Sequence, residues 1–172
     1  MGSPTPSEPA AAQPAGVRVV AVVLAAGSGV RLRSTTPKQL MKLAGKPVLA
    51  HTLRAFEDVP GVDEIIIVTR EDLVAASRDI VAREGTAKVS RVLIGGSSRN
   101  DSTRAALNAM ANLDEAKVLI HDAVRPFIDH SIIEETIRCL DEEDAVDVAI
   151  VPADTIIEVE GDHITAMPQR SR

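Results

Sequence analysis

The chain of 172 residues contains no Trp, no Tyr and only two Phe, so its core must be built from aliphatic side chains. An aliphatic core of this kind is typical of a parallel sheet that helices cover on both faces. Only one cysteine is present, Cys139, which excludes an intrachain disulfide and a thiolate metal cage. A lone cysteine favours a reducing compartment, and we therefore expect a cytoplasmic protein.

An excess of positive charge is also absent, because the formal net charge is −6. A broad basic surface for nucleic acid is therefore not expected. No apolar run approaches the ~20 residues that a membrane-spanning helix needs, so we expect no membrane partner. An anionic ligand would have to be held locally, by a few Arg and Lys side chains and by backbone N–H groups.

The two ends of the chain differ from its middle. Residues 1–16 are rich in Pro, Ala and Ser and have no apolar periodicity, which we interpret as a disordered leader rather than a signal peptide. Residues 17–172 have the size of one domain. Because the chain stops at Arg172, soon after a short apolar stretch and without a turn or cap, we expect that the carboxyl-terminal part of this domain is missing.

From Val17 onward, β-branched apolar runs alternate with amphipathic stretches. The pattern predicts strands over 17–24, 64–69, 89–95, 118–121 and 146–151, and helices over 47–56, 71–83, 101–110 and 131–140. Ser131 is expected to cap the last helix. A Gly161-Asp162 turn between two short apolar stretches predicts a β-hairpin arm over about 154–168. Alternating strands and helices predict an α/β fold with a doubly wound, mainly parallel, Rossmann-like sheet.

Ligands of such sheets bind beyond the carboxyl ends of the strands, and the first strand ends in a Gly-rich loop. Its small residues would let backbone N–H groups approach a phosphate chain; they are Leu24, Ala25, Ala26, Gly27, Ser28 and Gly29. Arg31 and Lys38 would neutralise charge that develops during phosphoryl transfer. The alternative is an ordinary tight turn followed by surface cations. A Walker loop is excluded because no Gly-Lys-Ser/Thr occurs, and Leu32 excludes the dinucleotide pattern.

The loop after the third predicted strand runs from Gly95 to Ser102. Its hydroxyl and N–H groups are suited to the edge of a pyrimidine, and Arg99 can pair with a phosphate or with a neighbouring loop. The alternative is a helix N-cap formed by Ser98 or Asn100, and capping does not exclude ligand binding.

The loop after the fourth predicted strand carries Asp122 and, three residues later, Arg125. A carboxylate in an anion site needs a cation, and a Mg²⁺ that bridges Asp122 to nucleotide phosphates would meet that need. Arg125 is then close enough for a second phosphate. The alternative is an ion pair of Asp122 with Arg125 or with His121 that closes the loop.

Together the motifs AAGSGVRL…PKQ, GGSSRNDS, HDAVRPF and DTI resemble those of the small CTP-dependent cytidylyltransferases that act on polyol phosphates. That family includes the ribitol 5-phosphate and the 2-C-methyl-D-erythritol 4-phosphate cytidylyltransferases, and the resemblance covers residues 17–172. It implies the nucleotidyltransferase type of Rossmann-like fold and transfer of CMP from CTP, with Mg²⁺ and release of pyrophosphate. It also implies a homodimer that forms through the hairpin arm.

The resemblance further implies a role for each motif residue. Leu24 to Gly29 would wrap the CTP triphosphate, and Arg31 and Lys38 would stabilise the transition state. Cytosine and ribose would be held by residues of the second loop, namely Gly95, Gly96, Ser97, Arg99 and Ser102. Asp122 would face the Mg²⁺. The acceptor would be contacted by Arg125 and Thr155 and positioned by Arg170, which would reach across to the partner subunit's site.

Two acceptors remain open, and ribitol 5-phosphate is slightly favoured. HDAVRPF, the AVD before strand five, Glu158 and the ending ITAMPQR resemble the ribitol type. The seven-residue step from Arg31 to Lys38 is similar to the methylerythritol type. A third possibility is a non-catalytic nucleotide-binding module of a larger fusion.

Overall fold

Four parallel strands form the central sheet of the structure, a computed structural model that describes residues 17–27, 36–112, 115–150 and 153–169. They are β1 (Arg18–Ala25), β4 (Glu64–Thr69), β5 (Val89–Ile94) and β6 (Ala116–Asp122), in the order β5-β4-β1-β6 across the sheet. This order confirms the predicted α/β fold with a parallel sheet. The predicted leader, residues 1–16, lies outside the described residues.

The described ranges contain four α-helices, which pack around the sheet: α1 (Val48–Glu57), α2 (Val74–Glu84), α3 (Arg99–Ala109) and α4 (His130–Cys139). Single 3₁₀ turns cover Lys38–Leu40 and Glu71–Leu73, and a small antiparallel pair joins β2 (Lys42–Leu43) to β3 (Lys46–Pro47). Among the described residues, no helix is long and apolar enough to cross a membrane.

The side chains of β1 alternate between two cores, as the geometry of a strand requires. Val19, Ala21 and Val23 belong to a cluster that includes residues of α1, α2 and α4, such as Phe56 of α1. Val20 and Val22 belong to a second cluster with residues of α3. Both faces of β1 are therefore buried, which explains why its sequence is a continuous β-branched run rather than an alternating one.

The fifth predicted strand, 146–151, is wrong over the part that the structure describes. Residues 146–150 have no regular structure, and Val148 and Ile150 are 58% and 90% exposed. A strand is stabilised by hydrogen bonds to a neighbour, and none of the described strands pairs with this segment. Its apolar β-branched composition therefore does not suffice to make it a strand here.

All four predicted helix starts are also shifted. Helix α1 begins at Val48, one residue after the prediction, and α2 begins at Val74 rather than at 71, because Glu71–Leu73 form a 3₁₀ turn. Helix α3 begins at Arg99, two residues before the prediction, because Ser98 caps it. Helix α4 begins at His130, and its cap is Asp129, whose carboxylate accepts a hydrogen bond from the Ser131 N–H, so the prediction of Ser131 as the cap is wrong. The bounds of β4 agree with the prediction at both ends.

The predicted β-hairpin is confirmed, although its first strand is shorter than expected. Strand β7 (Glu158–Glu160) pairs antiparallel with β8 (His163–Ala166). Gly161 has a φ of +62° in the turn, a conformation that glycine adopts without a steric penalty. All residues of both strands are exposed, so the hairpin projects from the described domain.

Candidate active site

The strand order of the central sheet reverses at β1. The chain passes from β1 to β4 and β5 on one side and then returns to β6 on the other side. A crevice at the carboxyl ends of the strands is expected at such a reversal. In the register of the sheet, Leu24 pairs with Asp122, so the start of the Gly-rich loop lies directly beside the carboxylate that was predicted to face Mg²⁺.

The Gly-rich loop leaves β1 from a buried position. Leu24 and Ala25 are buried, Ala26 is half-buried and Gly27 is exposed, so the loop rises from the core to the surface. The predicted site residues Ser28, Gly29 and Arg31 lie outside the described residues.

Lys38 begins the 3₁₀ turn that follows the loop, and this turn is fastened to the end of β1. The buried side chain of Gln39 donates a hydrogen bond from Nε2 to the carbonyl oxygen of Ala25, at 2.6 Å. The hydroxyl of Thr69, at the end of β4, lies 3.5 Å from the same oxygen. The main chain beside Lys38 is therefore tied to the first residues of the predicted phosphate loop.

The second loop begins beside the first. The Gly95 N–H donates to the carbonyl of Thr69 at 2.7 Å, where β4 ends. A Cβ on Gly95 would lie 2.6 Å from Oγ of Ser102 and 3.1 Å from Cβ of Ala26. A glycine is thus required at position 95, because the Gly-rich loop and the first turn of α3 both lie too close to leave room for a side chain.

The hydroxyls of the second loop are arranged around Asp101. Ser98 caps α3 in a reciprocal capping box with Asp101, and Ser97 donates from Oγ to the same carboxylate at 3.0 Å. Ser102 is buried and donates to the carbonyl of Ser98. The hydrogen bond from Ser98, and to a smaller extent the one from Ser97, holds the pKa of Asp101 below its ordinary value. The capping alternative is therefore confirmed, with Ser98 rather than Asn100 as the cap.

We predict that Gly96→Ala opens this loop. The new Cβ would lie 2.2 Å from Cβ of Asp101, so the capping box could not keep its geometry. Loss of the cap is expected to lower the free energy of unfolding by about 1 kcal/mol. Because the loop backbone has to move, the binding of CTP that the resemblance implies for this loop should weaken about tenfold or more, as measured by calorimetric titration.

Gly61→Ala is the matched control, because its Cβ would meet only Cδ1 of Ile137, at 3.4 Å. It should leave CTP affinity unchanged. Wild-type CTP affinity in Gly96→Ala would contradict a role of this loop in binding.

Asp122 is held by two arginines from different loops. Arg99, at the start of α3, and Arg125 both form ion pairs with its carboxylate. The pair with Arg125 confirms one of the alternatives predicted from the spacing, whereas His121 does not bond to Asp122. The contact with Arg99 joins the second loop to the third, so the three predicted loops meet at one edge of the sheet.

The turn that carries Arg125 is held in place by contacts with His121 and with residues of α1. His121 packs edge-on against Phe56, with ring centroids 5.1 Å apart, and its Nε2 lies 3.0 Å from the Arg125 carbonyl. Because a carbonyl oxygen only accepts, this Nε2 carries the proton. Burial lowers the pKa of His121 below its ordinary value of 6.5, which favours the neutral ring. Thr52 of α1 adds a buried hydrogen bond to the Ala123 carbonyl at 2.8 Å.

A protein cage for a metal ion is not found in the described ranges, where no three His, Cys, Asp or Glu side chains come together. Asp122 is one carboxylate, with about a quarter of its side chain exposed. Mg²⁺ commonly binds to one or two carboxylates together with water and substrate phosphates. Asp122 could therefore hold a Mg²⁺ ion once an arginine moves away from its carboxylate.

The acceptor residues are less fully placed. Arg125 is three-quarters exposed and lines a groove of about 910 Å³ beside β6, which also reaches Arg99 and Asp122. Its volume is that of a small-molecule site. Thr155 is exposed in the segment before the hairpin and is not part of this groove. Arg170 lies outside the described residues.

Sequence reasoning did not assign a role to three buried polar residues at this edge: Gln39, Thr52 and Thr69. Each donates to a backbone carbonyl of another loop or strand. Gln39 belongs to the motif PKQ, which carries the resemblance but indicates no role for this residue. The signal of Thr52 and Thr69 is a polar residue within or beside an apolar run, which is also typical of a surface position.

A four-stranded parallel sheet with these loops at its switch point defines the class as a Rossmann-like domain of the kind that binds nucleotides. The family model described as 2-C-methyl-D-erythritol 4-phosphate cytidylyltransferase (IspD) matches residues 19–172, so the chain belongs to this family.

Relatives of two kinds are similar to the chain. The bifunctional ribulose 5-phosphate reductase/CDP-ribitol pyrophosphorylase Bcs1 of Haemophilus influenzae is 43% identical over 155 residues, which cover 88% of this chain and 33% of that protein. The 2-C-methyl-D-erythritol 4-phosphate cytidylyltransferase of Bifidobacterium longum is 42% identical over 147 residues, which cover 84% of this chain and 50% of that protein. The chain thus spans between a third and a half of the length of these two relatives.

The solved structure of 4-diphosphocytidyl-2C-methyl-D-erythritol synthase from Anaerococcus prevotii has the same fold. The TM-score is 0.74 at 30% identity, and the match covers 91% of this chain and 65% of that chain. Membership of the family and the nucleotidyltransferase type of fold, both predicted from the loop motifs, are therefore confirmed.

Proposed function

We propose that the chain is a cytidylyltransferase that transfers CMP from CTP to a polyol phosphate and releases pyrophosphate. The observation that carries the proposal is the meeting of three loops at one switch point. Leu24 pairs with Asp122, Gln39 binds the end of β1, and Arg99 binds Asp122. These contacts bring the start of the Gly-rich loop, cations and a carboxylate to one edge of the sheet, which supports binding of a nucleoside triphosphate there.

The reaction is an in-line displacement at the α-phosphorus of CTP. A phosphate oxygen of the acceptor forms the new bond to phosphorus, and the bond to the β-phosphate oxygen breaks. Such a transfer depends on positioning and on neutralisation of charge, and it needs no covalent enzyme intermediate. The Gly-rich loop would bind the triphosphate, Lys38 and Arg31 would neutralise charge at the transferred and leaving phosphates, and Arg125 would bind the acceptor phosphate.

Asp122 would hold a Mg²⁺ ion, which when bound supplies positive charge to the phosphate oxygens. In the structure Arg99 and Arg125 neutralise this carboxylate. The acceptor phosphate would compete for Arg125 and the nucleotide for Arg99, which would leave Asp122 free for the cation. Arg99, with Gly95, Gly96, Ser97 and Ser102, would then hold the cytidine.

Ribitol 5-phosphate is the acceptor that we favour, supported by the similarity to the Haemophilus influenzae protein whose name includes CDP-ribitol pyrophosphorylase. The second candidate is 2-C-methyl-D-erythritol 4-phosphate, which the family description and the Bifidobacterium longum relative favour. Thr155 and Arg170 are proposed to complete the acceptor site.

Pyrophosphate release with the two acceptors in parallel tests this proposal, in the complete polypeptide that contains the chain. We expect release only when CTP, Mg²⁺ and one polyol phosphate are all present, and faster release with ribitol 5-phosphate. Faster release with the methylerythritol phosphate would establish the second candidate. Thermal stabilisation by CTP without release from either mixture would indicate a non-catalytic nucleotide-binding module.

The protein is proposed to form a homodimer through the hairpin arm, about residues 154–168. Val159 and Ile164 of its strands are 54% and 60% exposed, and Met167 is 67% exposed just beyond. Apolar side chains on a projecting hairpin are typical of a protein interface. Light scattering should show a dimer for the wild type and a monomer for Ile164→Asp, and a wild-type monomer at micromolar concentration would contradict the proposal.

The protein is proposed to act in the cytoplasm, on small molecules rather than on nucleic acid or membranes. The lone Cys139, which forms no disulfide, suits a reducing compartment, and the net charge of −6 disfavours a nucleic-acid partner.

A further inference from the structure

Gln39 is a buried polar residue beside the proposed catalytic lysine. Its side chain is 2% exposed, and its Nε2 donates to the Ala25 carbonyl at 2.6 Å. Ala25 is the last residue of β1, where the ladder of the sheet ends and the Gly-rich loop begins. The hydrogen bond therefore joins the turn that contains Lys38 to the strand from which the proposed phosphate loop departs.

The same turn is held on its other side by α1. Leu40 packs against the main hydrophobic cluster, and the Val48 N–H donates to the Met41 carbonyl at 2.9 Å. The Val48 contact fixes the turn to α1, whereas the cluster that Leu40 joins also includes β1 residues such as Ala25, so the packing of Leu40 against β1 is apolar and not directional. Within the described ranges, Gln39 supplies the side-chain hydrogen bond between this turn and β1.

A buried amide is not needed for packing at such a place. An apolar side chain of the same length would fill the volume without the desolvation cost of an amide. What the amide adds is direction, because a hydrogen bond fixes the distance and angle between donor and acceptor. An electrostatic catalytic group depends on that kind of precision, since small displacements from the reacting atoms reduce its effect.

We propose that Gln39 is a positioning residue for Lys38. By binding the end of β1, it fixes the Lys38 turn relative to the Gly-rich loop, so that the ammonium group is in place when charge develops on the phosphates. The inference rests on the proposed function, because it assigns to Lys38 the charge-neutralising role described above. It goes further by naming the contact that sets the geometry of Lys38.

Gln39→Met tests the proposal, because it keeps the length and volume of the side chain and removes the donor. In the complete polypeptide that contains the chain, we expect kcat to fall about 10-fold to 100-fold, as for other supporting residues of catalytic groups. KM for CTP should change by less than about threefold, because an interaction that matters in the transition state appears in kcat. Gln39→Asn, which keeps an amide donor one methylene shorter, should retain more of kcat than Gln39→Met.

A double-mutant cycle with Lys38→Ala separates this role from a merely structural one. If Gln39 acts through Lys38, Gln39→Met should cost less than about threefold in the Lys38→Ala background. Equal losses in both backgrounds would overturn the proposal, and so would a wild-type kcat in Gln39→Met. The buried Ser77 of α2 provides the control, and Ser77→Ala should leave kcat unchanged.

Failure of the inference and failure of the proposed function give different results. If the wild type releases no pyrophosphate with either acceptor, the proposed function fails. If the wild type is active and Lys38→Ala is slow, the outcome of the cycle concerns Gln39 alone. If Gln39→Met does not fold, as judged by circular dichroism, the same cycle is measured with Gln39→Asn. A loss of kcat that occurs only when Lys38 is present supports the proposal. An equal loss with Lys38 and with Lys38→Ala overturns it.

Discussion

Lys38→Ala is expected to lower the rate of pyrophosphate release by about 10²-fold to 10³-fold. The lysine begins the turn that Gln39 ties to β1, beside the Gly-rich loop. Without its ammonium group, negative charge on the phosphates in the transition state loses a preorganised cation. The free energy of unfolding should change by only about 0.5 kcal/mol, because Lys38 is not part of the hydrophobic core.

Lys46→Ala is the matched control for this variant. Its ammonium group pairs with Glu84 at 2.6 Å, and more than half of the side chain is exposed. Turnover should remain at the wild-type rate. Arg31→Ala is expected to behave like Lys38→Ala, as predicted from the sequence. A purified and folded Lys38→Ala that released pyrophosphate at the wild-type rate would remove Lys38 from the site.

Asp122→Asn should have the second largest effect, a loss of turnover of about 100-fold or more. The substitution keeps the shape of the side chain and removes the charge that would bind Mg²⁺, which contributes several kcal/mol to such transfers. The side chains of Arg99 and Arg125 are largely exposed to solvent, so loss of their ion pairs with Asp122 should lower the free energy of unfolding by no more than about 1 kcal/mol.

A Mg²⁺ titration of turnover provides the specific readout for Asp122. The variant should need a higher Mg²⁺ concentration for half-maximal rate than the wild type. Asp141→Asn, which removes an exposed carboxylate paired with Lys117, should show the wild-type Mg²⁺ dependence. An unchanged Mg²⁺ dependence in Asp122→Asn would exclude this carboxylate as a metal ligand.

The fold could be predicted where local sequence and tertiary environment agree. Strand β4 was bounded correctly because its apolar run is buried throughout. The segment 146–150 has a similar composition but pairs with no strand in the described part of the chain, and pairing is decided by distant residues rather than by local preference. The start of α3 depends on the reciprocal bonds of Ser98 and Asp101, which are visible in the sequence only as one of two possible caps.

The candidate site was predictable in its charged and Gly-rich parts and not in its supporting contacts. Asp122 comes directly after one predicted strand, and Gly95 is the last residue of another. Both positions lie at the edge where a parallel sheet brings its loops together. Gln39 bonds to a carbonyl fourteen positions earlier, and Thr52 to one seventy-one positions later. Such pairs leave no periodic signal, because they depend on how the elements pack.

The fate of the α-phosphate of CTP tests the central claim most directly. With CTP labelled at the α-phosphorus, Mg²⁺ and ribitol 5-phosphate or 2-C-methyl-D-erythritol 4-phosphate, the label should appear in a cytidine diphosphate polyol and not in pyrophosphate. Lys38→Ala should form this product about 10²-fold to 10³-fold more slowly. Label that stays in CTP with both acceptors, under conditions in which CTP raises the melting temperature, would show that the edge of the sheet binds the nucleotide without transferring it.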